Sequence, residues 1–544
     1  MSVLFALVCL AFTALTPQAV TQRAVAEPAD VAHAPPLVAP GVASPAARVQ
    51  IQNARRSKLA RRPAVGAPAS GASLEARRAR AQAVFASQAA LQSAGAERSA
   101  GRENAGSVNA GQGHFTDAEL GETTPPRNVI VILLDDVGID RLASYEALGS
   151  EPAPTPFLDV VAEQSMVFDR AYAQPVCSPS RAGALTGLRP PRTGVGTVFL
   201  WENTESDPFN LSLRGLDTLP KRVQATHTHV PVAIGKWHLN NLLYEPNPFA
   251  HPIDFGFSEF RGSMTSVLLS ESYYEYPYTV ATRAGAHTAI ETTYATTKQI
   301  DDALDVIDRL GNKPFVMWFA LHAPHTPWEA PPAELLSGAL GDLSTDNKLY
   351  QATLEAADTE LLRFFESLRP AILSRSVVII VGDNGTPAAS FENPQSLPFN
   401  GFKGSVGERG IHVPMFTWAA DAEPGRTEAL AHTDDLFATT LDLIGGDASA
   451  GLDSVSFAPV IFGGTGARTH VYAARHRPNG AGPYNKDVSA VIGDKWKLQR
   501  EDDAYRLFLL SNPPNNQLWR QQPFSPNEQA QFDELKALML EIEG

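Results

Sequence analysis

The amino-acid sequence predicts an α/β fold: a large, mixed but mostly parallel sheet flanked by helices, followed by a small antiparallel sheet with a terminal helix. Three features carry that expectation. Val129–Leu134, Phe315–Leu321 and Val377–Val381 are continuous apolar runs rich in β-branched or aromatic residues, the pattern of strands buried on both faces. Helical periodicity fills stretches such as TKQIDDALDVIDRL and NKLYQATLEAADTELLRFFESL, and strands that alternate with helices build parallel sheets. After about Ser454 the texture changes to the short runs THVYAARH, DVSAVIGDKWKLQRE and YRLFLL, then a terminal helical stretch with Ser525 as N-cap and Pro526 at the first helical position.

In chain order, the first element is the apolar run Val3–Leu15, too short to span a bilayer. It fits the core of a secretory signal, with Ala24–Ala26 as a small-residue cleavage site, although no positive charge precedes it. Residues 1–26 are therefore expected to direct export to the periplasm or beyond; without a working signal the protein stays cytoplasmic. Residues 27–124 are rich in Ala, Pro, Ser, Gly and Arg. They lack the apolar surface needed to offset the entropy of ordering and are expected to be a linker or pro-segment. Within them only the basic, Ala-rich stretch Ser73–Ala94 has a helical pattern. Residues 125–454 are expected to form the catalytic domain and residues 455–544 a C-terminal subdomain. No other run suits a membrane span, so no stable membrane insertion is expected. The 544 residues carry a net charge of −15, which excludes a general affinity for nucleic acid. Cys9 and Cys177 are the only cysteines, so loss of the leader leaves no disulfide framework.

Chemistry-bearing residues gather at the strand ends, where ligands bind in open α/β sheets. LLDDVG places Asp135 and Asp136 after the first run, and VGDNG places Asp383 and Asn384 after another. Four hard oxygen donors without a thiolate suit calcium or magnesium. In CSPSRAGALTG, Ser178 is expected to cap a helix, Pro179 to suit its first turn and Gly187 to end it. That sets Cys177 just before a helix N-terminus, where free N–H groups and the dipole favour an anion, with Arg181 one turn in. A buried structural cysteine before an ordinary capped helix has the same local sequence. IGKWHLN places Lys236 and His238 two apart, on one face if the segment is extended. APHTPWEAP sets His325 between prolines, and NGFKGSVGERG sets Lys403 in a glycine-rich loop. One arginine, two lysines and two histidines beside a divalent metal suit a small tetrahedral oxyanion such as sulfate or phosphate.

With those residues placed, the chain from about Asn128 onward resembles the type I sulfatases, the arylsulfatase family of the alkaline phosphatase superfamily. The likeness is carried by CSPSRAGALTGLRPPRTGV, whose essential part is Cys-x-Pro-x-Arg, and by NVIVILLDDVG, IGKWHL, APHTP and VGDNG…FKGSVGERGIHVP in the family's order. It implies an alkaline-phosphatase-like fold and a sulfuric ester hydrolase. It implies that a formylglycine-generating enzyme converts Cys177 to formylglycine, whose geminal diol attacks the ester sulfur to give a covalent sulfate ester. It implies Ca²⁺ or Mg²⁺ held by Asp135, Asp136, Asp383 and Asn384 together with modified Cys177. Arg181 would support the formylglycine, Lys236 and Lys403 would bind sulfate oxygens, His238 would be the base, and His325, with Lys403, would assist the leaving oxygen. His322 is set aside in favour of His325, and His412 and His432 are expected to be structural.

Two positions depart from the family pattern: Asn240 stands where glycine is usual, and Leu188 where arginine is usual, with Arg189 one place later. Both are expected at the pocket rim. The loops NNLLYEPNPFAHP and TSVLLSESYYEYPY are expected to form subsites, with Tyr273, Tyr274 and Tyr276 available to stack on a sugar or aryl ring. A phosphonate or phosphodiester hydrolase of the same superfamily is the nearest alternative reading. A non-catalytic anion- or glycan-binding protein is a more distant one.

Overall fold

The structure is a computed structural model that describes residues 71–88, 127–145, 151–199, 213–240, 247–265, 272–396, 401–448, 452–480, 484, 486–511 and 516–544. All belong to one compact unit, Lys58–Gly544. The expected signal at 1–26, the linker apart from 71–88, and parts of both expected subsite loops (241–246 and 266–271) lie outside the described residues.

Ten strands make the main sheet: β1 (Asn128–Leu134), β2 (Met166–Tyr172), β3 (Val230–Lys236), β4 (Glu259–Ser263), β5 (Tyr276–Thr282), β6 (Gly285–Glu291), β7 (Phe315–Ala320), β8 (Ser376–Gly382), β9 (Met415–Ala419) and β10 (Gly425–His432). Their order is β10-β2-β9-β8-β1-β7-β3-β4-β5-β6. The centre, β8-β1-β7-β3-β4, is parallel. The three apolar runs read from the sequence are thus adjacent, with β1 between β7 and β8. Every residue of β1 and β8 is buried, as continuous apolar runs require.

Alternate side chains of β1 enter two separate cores. Ile130, Ile132 and Leu134 meet helices α2 (Pro156–Glu163), α4 (Ala295–Leu310) and α5 (Asp346–Ser367). Val129, Val131 and Leu133 meet α3 (Cys177–Thr186) and α6 (Asp435–Leu443). This is a three-layer helix–sheet–helix arrangement. A helix over 74–88, α1, joins the first of these layers. It buries Ala81 and Phe85 in that core, and its buried Arg77 pairs with Glu355 at 3.3 Å.

A second, antiparallel sheet runs β11 (Val471–Arg477), β12 (Lys486–Ile492), β13 (Trp496–Glu501), β14 (Ala504–Ser511) and β15 (Asn516–Arg520). The last helix, α7 (Pro526–Glu543), begins at Ser525 with a capping box to Glu528. No described helix is long and apolar enough to cross a membrane.

Candidate active site

β1, β3 and β8 end at one edge of the parallel core, and their last residues converge there. Asp135 and Asp136 leave β1, and Asp136 adopts φ 70°, a left-handed conformation that Asp tolerates better than most residues. Its backbone N–H donates to Asp383 Oδ1 at 3.1 Å. Asn384 Nδ2 donates to Asp136 Oδ1 at 2.8 Å. One oxygen from each of Asp135, Asp136 and Asp383 lies within 4.8 Å of the others. Asp135 Oδ1 and Asn384 Oδ1 are buried without a hydrogen-bond partner. Two orphaned oxygens beside three clustered carboxylates fit a hard divalent cation of the calcium or magnesium kind.

Cations surround this cluster. Lys236, the last residue of β3, places Nζ 2.5 Å from Asp135 Oδ2. Lys403 places Nζ 2.5 Å from Asp136 Oδ1. Arg181, one turn into α3, donates to Asp383 Oδ2 at 2.8 Å and to the Lys236 carbonyl at 2.8 Å. Burial is the largest influence on Arg181 and Lys403 and opposes their charge, but the surrounding negative groups, led by Asp383 and Asp136 respectively, together outweigh it and both bases are strengthened. Burial also opposes ionisation of Asp136, and Lys403 and His325 override it and hold the carboxyl low. Asp383 goes the other way, raised by burial and then by Asp135.

Cys177 lies on the same cluster, within 4.8 Å of ligand atoms of Asp135 and His325. Its local setting corrects the sequence expectation. α3 begins at Cys177 itself after Val176 as N-cap, without a side-chain cap, so Ser178 does not cap it. Ser178 Oγ instead donates to the His238 carbonyl at 2.9 Å and accepts from the Phe199 N–H at 3.3 Å. Its hydroxyl serves the loops that frame the pocket because, one residue into the helix, it faces them. Gly187 ends α3 at φ 68°, as expected.

His238 also arrives differently. Its φ is 58°, so no strand alternation brings it beside Lys236; a left-handed turn after β3 does. Its Nε2 donates to the Phe199 carbonyl at 3.1 Å, and Nδ1 is buried without a partner. That tautomer leaves a lone pair on Nδ1. His325 Nδ1 donates to the Thr326 carbonyl at 2.7 Å, and Nε2 lies 3.8 Å from Asp136 Oδ2. Burial, then Lys236, lowers the basicity of both rings far below the ordinary value.

Of the expected stacking tyrosines, Tyr273 and Tyr276 are buried and cannot face a ligand ring. The Tyr273 hydroxyl donates to the carbonyls of His322 and His325, at 3.0 and 2.7 Å, and so clamps the loop that carries His325. Tyr276 donates to the Thr293 carbonyl. Tyr274 alone of the three is exposed. Asn240 is buried and donates to the Pro248 carbonyl. Arg189 meets Asp453 through its N–H and His470 through its guanidinium. Both tie loops together. His412 lies stacked on Tyr172 with Nε2 on the Asp169 carbonyl, and His432 pairs with Asp434, which are structural settings. His322 is buried with neither ring nitrogen bonded.

Two groups of contacts are not legible in the sequence. Tyr350, on α5, donates to the Asp136 carbonyl at 2.8 Å; its helical spacing reads as ordinary core. The Lys403 loop is held from the second sheet. Arg475 donates to Gly404 O at 2.7 Å, Gln499 to Val406 O at 3.2 Å, and Lys497 to Glu408 at 2.7 Å.

Comparison with known proteins gives the family and the fold. The family model described as Sulfatase matches residues 127–446. N-acetylgalactosamine-6-sulfatase of Canis lupus familiaris is 28% identical over 383 residues, 63% of this chain and 67% of that protein. The uncharacterized sulfatase YdeN of Escherichia coli strain K12 is 26% identical over 400 residues, with the same two coverages. The crystal structure of Ps i-CgsB in complex with k-i-k-neocarrahexaose matches with TM-score 0.64 at 22% identity, covering 77% of this chain and 93% of that one. The structure of BT4656 in complex with its substrate D-glucosamine-2-N,6-O-disulfate matches with TM-score 0.57 at 19% identity, covering 76% and 97%. The chain belongs to the sulfatase family, the type I sulfatases of the alkaline phosphatase superfamily.

Proposed function

We propose that this protein hydrolyses sulfate monoesters of carbohydrate or aryl alcohols at the pocket around Cys177. One observation carries the reading. Cys177 opens a buried helix inside a ring of three carboxylates, three fixed cations and two histidines. Relatives named for sulfated-sugar substrates support the carbohydrate class.

Asp135, Asp136, Asp383 and Asn384, with modified Cys177, would hold Ca²⁺ or Mg²⁺. The ion supplies Lewis acidity toward a sulfate oxygen when bound. Converted to formylglycine by a formylglycine-generating enzyme, Cys177 supplies a hydrated aldehyde as the nucleophile. The remaining work falls to the protein's own side chains. Arg181 fixes the nucleophile's helix turn against Asp383 and β3. Lys236 and Lys403, released from the carboxylates they now contact, receive sulfate oxygens and stabilise charge that grows in the transition state. His238, with Nε2–H pinned to Phe199, accepts a proton at Nδ1. His325, with Nδ1–H pinned to Thr326, delivers one from Nε2 to the leaving oxygen. A bound sulfate ester brings negative charge that opposes the lowered basicity of His325. Residues 125–454 form the catalytic domain of this scheme and residues 455–544 its C-terminal subdomain. Residues 1–26 direct export.

The test is a comparison of kcat/KM on an aryl sulfate and an aryl phosphonate ester sharing one leaving group. Preference for the sulfate, and loss of roughly 10⁴-fold or more in Cys177→Ala, are expected. Preference for the phosphonate would replace this reading with the phosphonate hydrolase. Full activity in the alanine variant would remove Cys177 from the chemistry.

A further inference from the structure

β11 is the edge strand of the second sheet and packs against the main body. Val471 and Ala473 pack with Tyr172 and Ile411. Tyr472 and Ala474 pack toward α7 with Leu535 and Met539. Side chains alternate along a strand, so the face that meets the main body continues to Arg475 and Arg477. Arg475 Nη1 donates to Gly404 O at 2.7 Å, beside Lys403. Gly404 has φ 91°, and a Cβ there would come within 2.4 Å of that Nη1, so the guanidinium lies against bare backbone. The Gly404 N–H in turn donates to Pro175 O at 2.7 Å, two residues ahead of Cys177. Arg477 Nε donates to Thr197 Oγ1 at 3.4 Å, two residues before the Phe199 carbonyl that holds His238. Arg475 therefore meets the loop that carries Lys403, and Arg477 meets the segment that orients His238.

Neither has a carboxylate partner among the described residues, and Arg475 Nε is buried with no hydrogen bond. Arg500, in the same sheet, shows the contrast: it pairs with Asp487 at 2.7 Å and Glu543 at 2.9 Å. Burial, and then the neighbouring Arg477, weaken the charge on Arg475. Two half-buried like charges without a counter-ion raise the energy of the free protein, and a bound anion relieves it. Guanidinium groups also bind carboxylate and sulfate by paired hydrogen bonds.

We propose that Arg475 and Arg477 form a second anion subsite that grips a further sulfate or carboxylate on the same substrate molecule. The preferred substrate is then a sulfate ester with a second negative charge. The proposal rests on the sulfatase reading above.

The experiment measures kcat and KM of the matured, metal-loaded protein and of Arg477→Gln and Arg477→Lys. Its probes are 4-nitrophenyl sulfate, a monosulfated hexosamine, a disulfated hexosamine, and a sulfated disaccharide bearing a uronic carboxylate. Arg477→Gln should lower kcat/KM by about tenfold or more on the doubly anionic probes, through KM, and by less than about threefold on the two singly anionic ones. Arg477→Lys should recover part of the loss. Whichever doubly anionic probe shows the larger effect identifies the second group. Equal losses on all probes, or a wild type indifferent to the second anion, would overturn the subsite alone. No turnover of any sulfate ester would overturn the sulfatase reading with it.

Discussion

Lys236 and Lys403 hold mirror-like posts, each with its ammonium 2.5 Å from one of two consecutive carboxylates, Asp135 and Asp136. Both are buried or nearly so, so neither charge is dispensable solvent dressing. Replacing either by alanine should lower kcat by about 100- to 1,000-fold, as loss of one preorganised charge on a developing oxyanion does. His325 calls for a different signature. Its variant His325→Asn should lose about 100- to 10,000-fold on alkyl or sugar sulfates, whose leaving oxygens need a proton. The loss should shrink on nitrophenyl sulfate, whose leaving group does not. A loss independent of the leaving group would mean that His325 only binds. Tyr273, 49 and 52 residues away in sequence from the two carbonyls it meets, is unreadable as a positioning group because nothing local records which carbonyls a hydroxyl will meet.

The loop from Lys403 to Glu408 is the element on which the site depends most plainly, and the second sheet fixes it. Glu408 and Lys497 are both fully buried and joined at 2.7 Å. Burial works against the Glu408 carboxylate, but Lys497 and then His412 prevail and hold its pKa at about 2, against an ordinary 4.5. The sign follows from linkage. A carboxyl depressed on folding contributes stability that is complete above its unfolded value and is lost as pH falls toward its folded value. Lys497→Met takes the ammonium from the buried Glu408 and leaves it only the His412 ring, 3.4 Å away, which costs about 3–5 kcal/mol at neutral pH. Urea melts of wild type should lose stability between about pH 6 and about pH 3, and the variant should lose less over the same window. An equal slope in both would show that the pair does not govern acid sensitivity. This pair is not legible in the sequence, because an isolated Glu after glycine and an isolated Lys in a strand look like surface residues; only the packing of the second sheet on the loop after Lys403 makes them neighbours.

At the scale of the whole molecule, the parallel core was legible because strands buried on both faces must be continuously apolar, and the residues that follow them must then sit at a common edge. That placed Asp135, Asp136, Asp383 and Asn384 together. The same logic failed for His238, which turns at φ 58°, and for Ser178, since the N-cap is Val176, two residues earlier. It also undervalued the N-terminal region. The stretch read as a candidate helix forms α1 over 74–88. Phe85 there stacks edge-on to Trp418, with ring centroids 5.6 Å apart, although the family match begins only at residue 127. Phe85→Ala should destabilise the protein by about 3 kcal/mol, as an emptied aromatic site in a core does, whereas an undocked segment would give no change in a thermal melt. The metal expectation is likewise global. Chelation should abolish activity, and calcium in hundredfold excess over its Kd should return about 2.7 kcal/mol of stability. Asp383→Asn should reduce that gain.

The central claim is that Cys177 enters this pocket as a precursor. Mass spectrometry of the peptide spanning Cys177, taken from protein made with a formylglycine-generating enzyme and active on an aryl sulfate, tests it most directly. The expected result is the mass loss of thiol-to-aldehyde conversion, in a fraction of molecules that rises in step with specific activity. Fully active protein carrying only unmodified Cys177 would contradict it.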